Sequence, residues 1–259
     1  MRLPHRARPG RPGHRHARRR LLRDPPRPSH ARCCRPGRLR NCSPGPTRLR
    51  RTYGSAPRRL ARPLSVAEIR QILGCIDRST PIGIRDAAII LLGFASAMRR
   101  AEIVALTLGD VEPKPLGLLL HVRKSKTDQE GCGQVVGVAH GTFALTDPVA
   151  AIAAWRTVRG EVPGTLFTRI WARSVSLEAL SGHVVARMLR ARAVAAGLDG
   201  TRITAHSLRA GHATAAALAG VPLDRIAAQT RHKDLTVLVN RYIRPLEALA
   251  NTSSKDLGL

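Results

Sequence analysis

Aromatic side chains are scarce: Phe, Trp and Tyr make up 3% of the 259 residues. A core must therefore rest on Leu, Ile, Val and Ala, within a hydrophobic fraction of 43%. Cysteine is sparse and odd in number, five in all (Cys33, Cys34, Cys42, Cys75, Cys132). This excludes a disulfide framework and favours a reducing compartment. No C-x-x-C or H-x-x-x-H spacing occurs, so no metal signature is read, and no cofactor is expected. The most apolar run, Asp86–Met98, falls short of the ~20 residues that a bilayer span needs. No apolar segment of signal-peptide type follows the charged N-terminus. The expectation is a soluble cytoplasmic protein with no membrane partner. Acids are also scarce, 17 against 44 Lys plus Arg, leaving a net charge of +27. Charge of that size points to a polyanionic partner, nucleic acid first.

The charge is unevenly spread. Residues 1–62 hold 20 Arg and one acid, Asp24, and residues 1–50 hold nine Pro. No helical or alternating apolar period is visible there. Such a segment buries too little surface to offset its ordering entropy, so 1–62 reads as a disordered basic arm and linker. Residues 63–259 carry the remaining 24 basic residues against 16 acids.

Folded sequence starts at Ser65, which with Glu68 forms a capping box ahead of "VAEIRQIL". "IRDAAIILLGFASAM" is apolar nearly all round and predicts a buried central helix. "RRAEIVALTLGDV" predicts a short helix ending near Gly109. "LGLLLHVRKS" and "GQVVGVAH" predict two strands joined by the polar loop "KTDQEGCG". Further helices follow: one closed by Gly160, one by Gly197, one by Gly220, one starting near Pro222, and a last short one in "TVLVNRYI". The expected fold is mainly α with one small antiparallel β-sheet. It has a domain at 63–250 and a tail at 251–259.

Chemistry-bearing residues are dispersed along this fold. Arg99 and Arg100 follow the buried helix, with Glu102 close by; alone they read as surface charges at a helix end. Lys126 sits at the hairpin tip, where a lysine is ordinarily just solvated. His206 and Arg209 lie three apart on a helix and share a face. His232 comes 26 residues after His206, and Tyr242 ten after that. Jointly these are the groups that metal-free attack on a phosphodiester needs. Tyr supplies an oxygen nucleophile, and two guanidinium forks clamp the phosphate oxygens bidentately. They offset the charge that builds in the transition state. Lys126 protonates the departing 5′-oxygen, His206 accepts the tyrosine proton, and His232 donates to the phosphate. A covalent phosphotyrosine conserves the bond energy, so neither ATP nor metal is called for.

The order Arg…Lys…His-x-x-Arg…His…Tyr resembles the tyrosine recombinases, the phage integrases and their relatives, over about residues 51–247. "AMRRAEIVALTLGDV" is similar to the family's first arginine box, which implies a catalytic Arg99, a supporting Glu102 and a structural Asp110. "KSKT" implies Lys126, "AHSLRAGHATAAALAG" implies His206 and Arg209, "QTRHKDL" implies His232, and "NRYIR" implies Tyr242 as nucleophile. The resemblance implies a catalytic-domain fold of that type and an enzyme that cuts and rejoins DNA for integration of mobile elements. It also implies double-stranded DNA as partner, a homotetramer in the synaptic complex, and a place at the nucleoid.

Three departures stand out. The His232–Tyr242 spacing is ten where the family usually has nine; one extra residue, Val239, rotates a helix by about 100° unless a looped-out or π-bulged residue absorbs it. Arg231 stands where Gly usually precedes the His, and crowds the backbone if that position needs φ > 0. Residues 1–62 stand where relatives carry a helical core-binding domain, and are read as a truncated or disrupted remnant of one. Alternatives stay open: an impaired integrase that only binds DNA, a type IB topoisomerase, and a helix-turn-helix regulator built on "ATAAALAGVPLDRIAAQTRH".

Overall fold

The first helix begins where the capping box places it. Ser65 Oγ accepts from the Glu68 N–H, and the Glu68 carboxylate accepts from the Ser65 N–H at 2.9 Å. This computed structural model describes residues 61–123, 133–232 and 234–240. They all belong to one unit, Ala56–Leu259. Residues 1–60 of the expected arm, with Tyr53, as well as Lys126, Tyr242 and the expected 251–259 tail, lie outside the described residues.

Helices are α1 (Val66–Gly74), α2 (Pro81–Ala95), α3 (Arg100–Ala105), α4 (Pro148–Arg159), α5 (Gly182–Ala195), α6 (His206–Leu218), α7 (Leu223–Thr230) and α8 (Leu235–Leu238). The apolar helix is α2. It starts at Thr80, whose side chain caps Gly83 N, with Pro81 in the first turn. Its residues Ala87–Leu92 are buried, and it packs against α4, α5 and α6. The core is aliphatic as expected, with Trp155 and Phe167 its only fully buried aromatics among the described residues. Asp86, inside that core, accepts from Arg85 on its own helix and from Arg192 of α5 at 2.8–2.9 Å. A buried carboxylate is tolerated when it is paired in this way.

Strands β1 (Val111–Lys114), β2 (Gly117–Val122) and β3 (Gln134–Ala139) form an antiparallel sheet in that order. Leu118, Leu120, Val122, Val136 and Val138 point to the core, with the period of two that strands require. The pairing ends at Val122 opposite Gln134, so the stem of the expected hairpin brackets Lys126 in sequence.

The single expected sheet is a correction. β1 is a third strand, and β4 (Thr168–Trp171) pairs with β5 (Ser174–Ala179) in a second sheet. Both were hidden for local reasons. β1 is an edge strand containing Pro113, which demotes a strand signal. The β4–β5 turn uses Ala172 and Arg173, both at positive φ, where Gly or Asn is the usual marker.

The helix expected to end near Gly109 is also corrected: α3 stops at Ala105, and Leu108–Asp110 follows as a separate 3-10 turn. Gly160, Gly197 and Gly220 take φ of 81°, 78° and 72° at the ends of α4, α5 and α6. After α8, the backbone winds as π-helix at Val239 and Asn240, in the segment where a looped-out or π-bulged residue was expected to absorb an extra position. Among the described residues, no helix is long and apolar enough to cross a membrane.

Candidate active site

Four of the six expected catalytic side chains fall within the described residues, and the fold brings them together. Arg99 follows α2 through the turn Ser96–Ala97–Met98. Ser96 Oγ donates to the Leu92 carbonyl at 2.6 Å, and Ala97 takes φ 50°. That left-handed backbone is costly for a residue with a Cβ. It reverses the chain so that Arg99 caps α3. Glu102, 4% exposed, then accepts the Arg99 backbone N–H at 2.7 Å and its guanidinium Nη1 at 2.8 Å. Glu102 thus grips Arg99 at both its backbone and its guanidinium.

α6 carries His206 in its first turn and Arg209 one turn on. His206 is exposed, and its backbone N–H donates to Thr204 Oγ1. Arg209 is 1% exposed. Its Nη1 donates to the Ala97 carbonyl at 2.7 Å, and its Nη2 donates to the Thr230 carbonyl. One guanidinium therefore joins the turn before Arg99 to the turn before His232.

The second turn mirrors the first. α7 ends at Arg231, which takes φ 55° and ψ 46°. The condition under which an arginine was expected to crowd the backbone, a positive φ, is met, and an arginine occupies the position. Its side chain is not crowded out. It turns inward, 8% exposed, and donates Nη2 to Glu102 Oε2. Glu102 thus lies between Arg99 and Arg231.

His232 completes the cluster. Its Nδ1 lies 2.7 Å from Thr230 Oγ1, and its Nε2 lies 3.4 Å from Arg209 Nη2. Thr230 Oγ1 already donates to the Ile226 carbonyl at 2.7 Å, so it accepts from His232. The network assigns the proton to Nδ1 and leaves Nε2 as an acceptor toward Arg209. Burial, followed by the charges of Arg209, Arg99, His206 and Arg231, lowers the His232 pKa to about 4. The same influences show that these five side chains lie within electrostatic reach of one another. A cavity of about 610 Å³ opens beside His232, walled in part by Val135, Ala228, Arg231 and Leu235.

Asp110, which the resemblance implies is structural, is held by three hydrogen bonds. It is 2% exposed, and accepts from Thr107 N at 2.8 Å, Thr107 Oγ1 at 2.7 Å and Arg123 Nε at 2.5 Å. It thereby fixes the base of the β2–β3 stem. Thr230 and Gln229 were not anticipated. Thr230 sets the His232 tautomer. Gln229 Nε2 donates to the Ala95 and Gly137 carbonyls, each at 3.0 Å, locking α7 against α2 and β3. That lock counts against a helix-turn-helix reading. α6 and α7 do adjoin, but α7 buries Ile226, Ala227 and Thr230 and commits Gln229 to the domain, so it is no free recognition helix.

Fold and site together define a class: the mainly helical catalytic fold seen in lambda integrase. The crystal structure of a lambda integrase tetramer bound to a Holliday junction aligns with a TM-score of 0.54 at 22% identity, over 72% of this chain and 49% of that one. XerH site-specific recombinase bound to palindromic difH substrate, in a post-cleavage complex, aligns with a TM-score of 0.58 at 19% identity, over 77% and 55%. The chain belongs to the phage integrase family, whose model matches residues 62–248. An integrase/recombinase XerD homologue of Selenomonas ruminantium is 33% identical over 196 residues, which are 75% of this chain and 57% of that protein. The chain thus spans little more than half the length of that relative.

Proposed function

We propose that this chain is a site-specific DNA recombinase that cuts and rejoins double-stranded DNA through a 3′-phosphotyrosine. The observation that carries the reading is the convergence of Arg99, His206, Arg209 and His232 from three separate segments, in the residue order of the family. Arg99 and Arg209 clamp the scissile phosphate and offset its developing charge. Tyr242 Oη attacks phosphorus while the bond to the 5′-oxygen breaks. The phenolic proton passes to His206, and Lys126 gives a proton to the leaving 5′-oxygen. The products are a tyrosyl 3′-phosphate and a free 5′-hydroxyl, and rejoining is the reverse. The donor role expected of His232 does not fit a ring protonated at Nδ1 alone; His232 instead faces Arg209 with Nε2 and orients that guanidinium, with Thr230 fixing its ring.

In this reading residues 63–250 form the catalytic domain. The 1–62 arm lies along the DNA backbone, and the 251–259 tail follows the nucleophile. Synapsis of two duplexes calls for four protomers acting at the nucleoid in the cytoplasm. The test is a covalent adduct on nicked duplex DNA in EDTA. Tyr242→Phe is expected to abolish the adduct and Tyr53→Phe to leave it, with the nucleotide located by mass spectrometry on the Tyr242 peptide. An adduct on Tyr53, or a strict metal requirement, overturns the mechanism. No adduct from the parent on any nicked substrate favours an impaired integrase that only binds DNA.

A further inference from the structure

Arg231 is the residue whose presence needs explaining. It holds a left-handed backbone that glycine adopts without strain. It is buried, and among the described residues Nε and Nη1 have no hydrogen-bond partner. Both features are unfavourable, and both persist only where the surroundings over-determine them. Among the described residues, its side chain makes one polar contact, Nη2 to Glu102 Oε2, across 129 residues of sequence. The same oxygen takes the Arg99 backbone N–H, and Oε1 takes the Arg99 guanidinium.

We propose that Arg231 is a positioning residue: it pins Glu102 from the side opposite Arg99, and so fixes the Arg99 guanidinium in register with His232. Two consequences follow from charge and geometry. A carboxylate shared between two guanidiniums neutralises neither fully, so Arg99 keeps positive charge for a phosphate. In addition, the tripeptide Thr230–Arg231–His232 is tied at every residue. Arg209 holds the Thr230 carbonyl, Glu102 holds the Arg231 side chain, and Thr230 Oγ1 holds the His232 ring. Arg231 is the member that links the His232 turn to the Arg99 turn through side chains alone. Its guanidinium bonds Glu102, and it acts through that carboxylate and not on the phosphate itself.

The inference rests on the recombinase reading for its kinetic test and stands apart from it in a second one. In single-turnover adduct formation on a nicked duplex, Arg231→Gly removes both the backbone strain and the Glu102 contact. It is expected to slow the chemical step roughly 10–100-fold, as a misplacement of about 1 Å would. DNA affinity stays within about threefold of the parent, because the group never touches DNA. Arg231→Lys keeps a cation at Glu102 and recovers part of the rate. Glu102→Gln combined with Arg231→Gly is no slower than Glu102→Gln alone, since both act on one contact. The second measurement is ¹⁵N NMR of arginine side chains in the DNA-free protein. Arg99 is expected to show restricted guanidinium rotation in the parent and free averaging in Arg231→Gly. Parent-like rates together with a parent-like Arg99 signal in Arg231→Gly overturn the proposal. If the parent forms no adduct, the recombinase reading fails, and the NMR signature alone decides Arg231.

Discussion

Replacing Arg209 with lysine keeps the charge and removes the fork, and its cost follows from two bonds. Arg209 Nη1 is 2.7 Å from the Ala97 carbonyl, and Nη2 bonds the Thr230 carbonyl. A lysine ammonium sits about where the guanidinium carbon lies, one C–N bond (~1.3 Å) short of either nitrogen. It cannot reach two carbonyls that diverge from that carbon. At least one charge-assisted hydrogen bond is lost, worth ~1.5–3 kcal/mol, and a buried carbonyl is left unpaired. For a domain of this size that corresponds to a fall in Tm of roughly 3–12 °C. On the recombinase reading cleavage suffers more, because a bidentate clamp on the phosphate would go with the fork; loss of one preorganised donor typically costs ~10²–10³ in rate. Thermal melting by circular dichroism, single-turnover adduct formation and DNA binding by anisotropy separate the effects. The expected pattern is a lowered Tm, a much reduced adduct rate and nearly unchanged affinity. An Arg209→Lys protein that melts within 1 °C of the parent would refute the argument that this guanidinium braces the two turns. One that also cleaves within about threefold would remove it from the phosphate clamp.

Two further outcomes are expected. His232 is held neutral in the fold with a pKa of about 4, against 6.5 for the free side chain, so between those values the unfolded chain binds the extra proton. Stability therefore rises with pH in that window and is lost as pH falls through it, by about 1–2 kcal/mol once the solvent contact of the ring is allowed for. His232→Gln should flatten that part of the Tm–pH curve, and an identical slope in both proteins would contradict the assignment. Separately, the 20 Arg of residues 1–62 are expected to dominate non-specific binding. With roughly six to ten phosphates contacted, affinity falls ~10³–10⁵ between 50 and 200 mM salt. Deleting 1–62 should flatten that dependence strongly, and an unchanged slope would mean the arm does not engage DNA.

What the sequence made legible were features written in neighbouring residues. The Ser65–Glu68 box, the apolar α2 run and the glycines closing α4, α5 and α6 each follow from local chemistry. The pairing of His206 with Arg209 follows from helical spacing. What it hid were features that need partners far away. Nothing near Arg231 announces that its guanidinium meets Glu102, 129 residues earlier. Only the absence of an expected glycine marked the position as unusual. Thr230 reads as an ordinary helix residue until His232 is placed against it. Ala97 and the Ala172–Arg173 turn hide for a related reason: positive φ was adopted by residues that do not advertise it. β1 was missed because a proline-bearing edge strand carries little pattern of its own.

The bracing of the site also sets a schedule for its assembly. The contacts that align it close loops of 112 residues, from Ala97 to Arg209, and 129 residues, from Glu102 to Arg231. Such non-local contacts form late, since the closure entropy of the loop is lost before the contact rewards it. During synthesis at ~5–20 residues per second, Arg231 follows Glu102 by roughly 6–26 s. Over that interval the emerging chain already displays its basic arm, but Glu102 and the Ala97 carbonyl still await their far partners. On the recombinase reading, a ribosome-bound or truncated product therefore attracts DNA before it has an assembled centre with which to cut it.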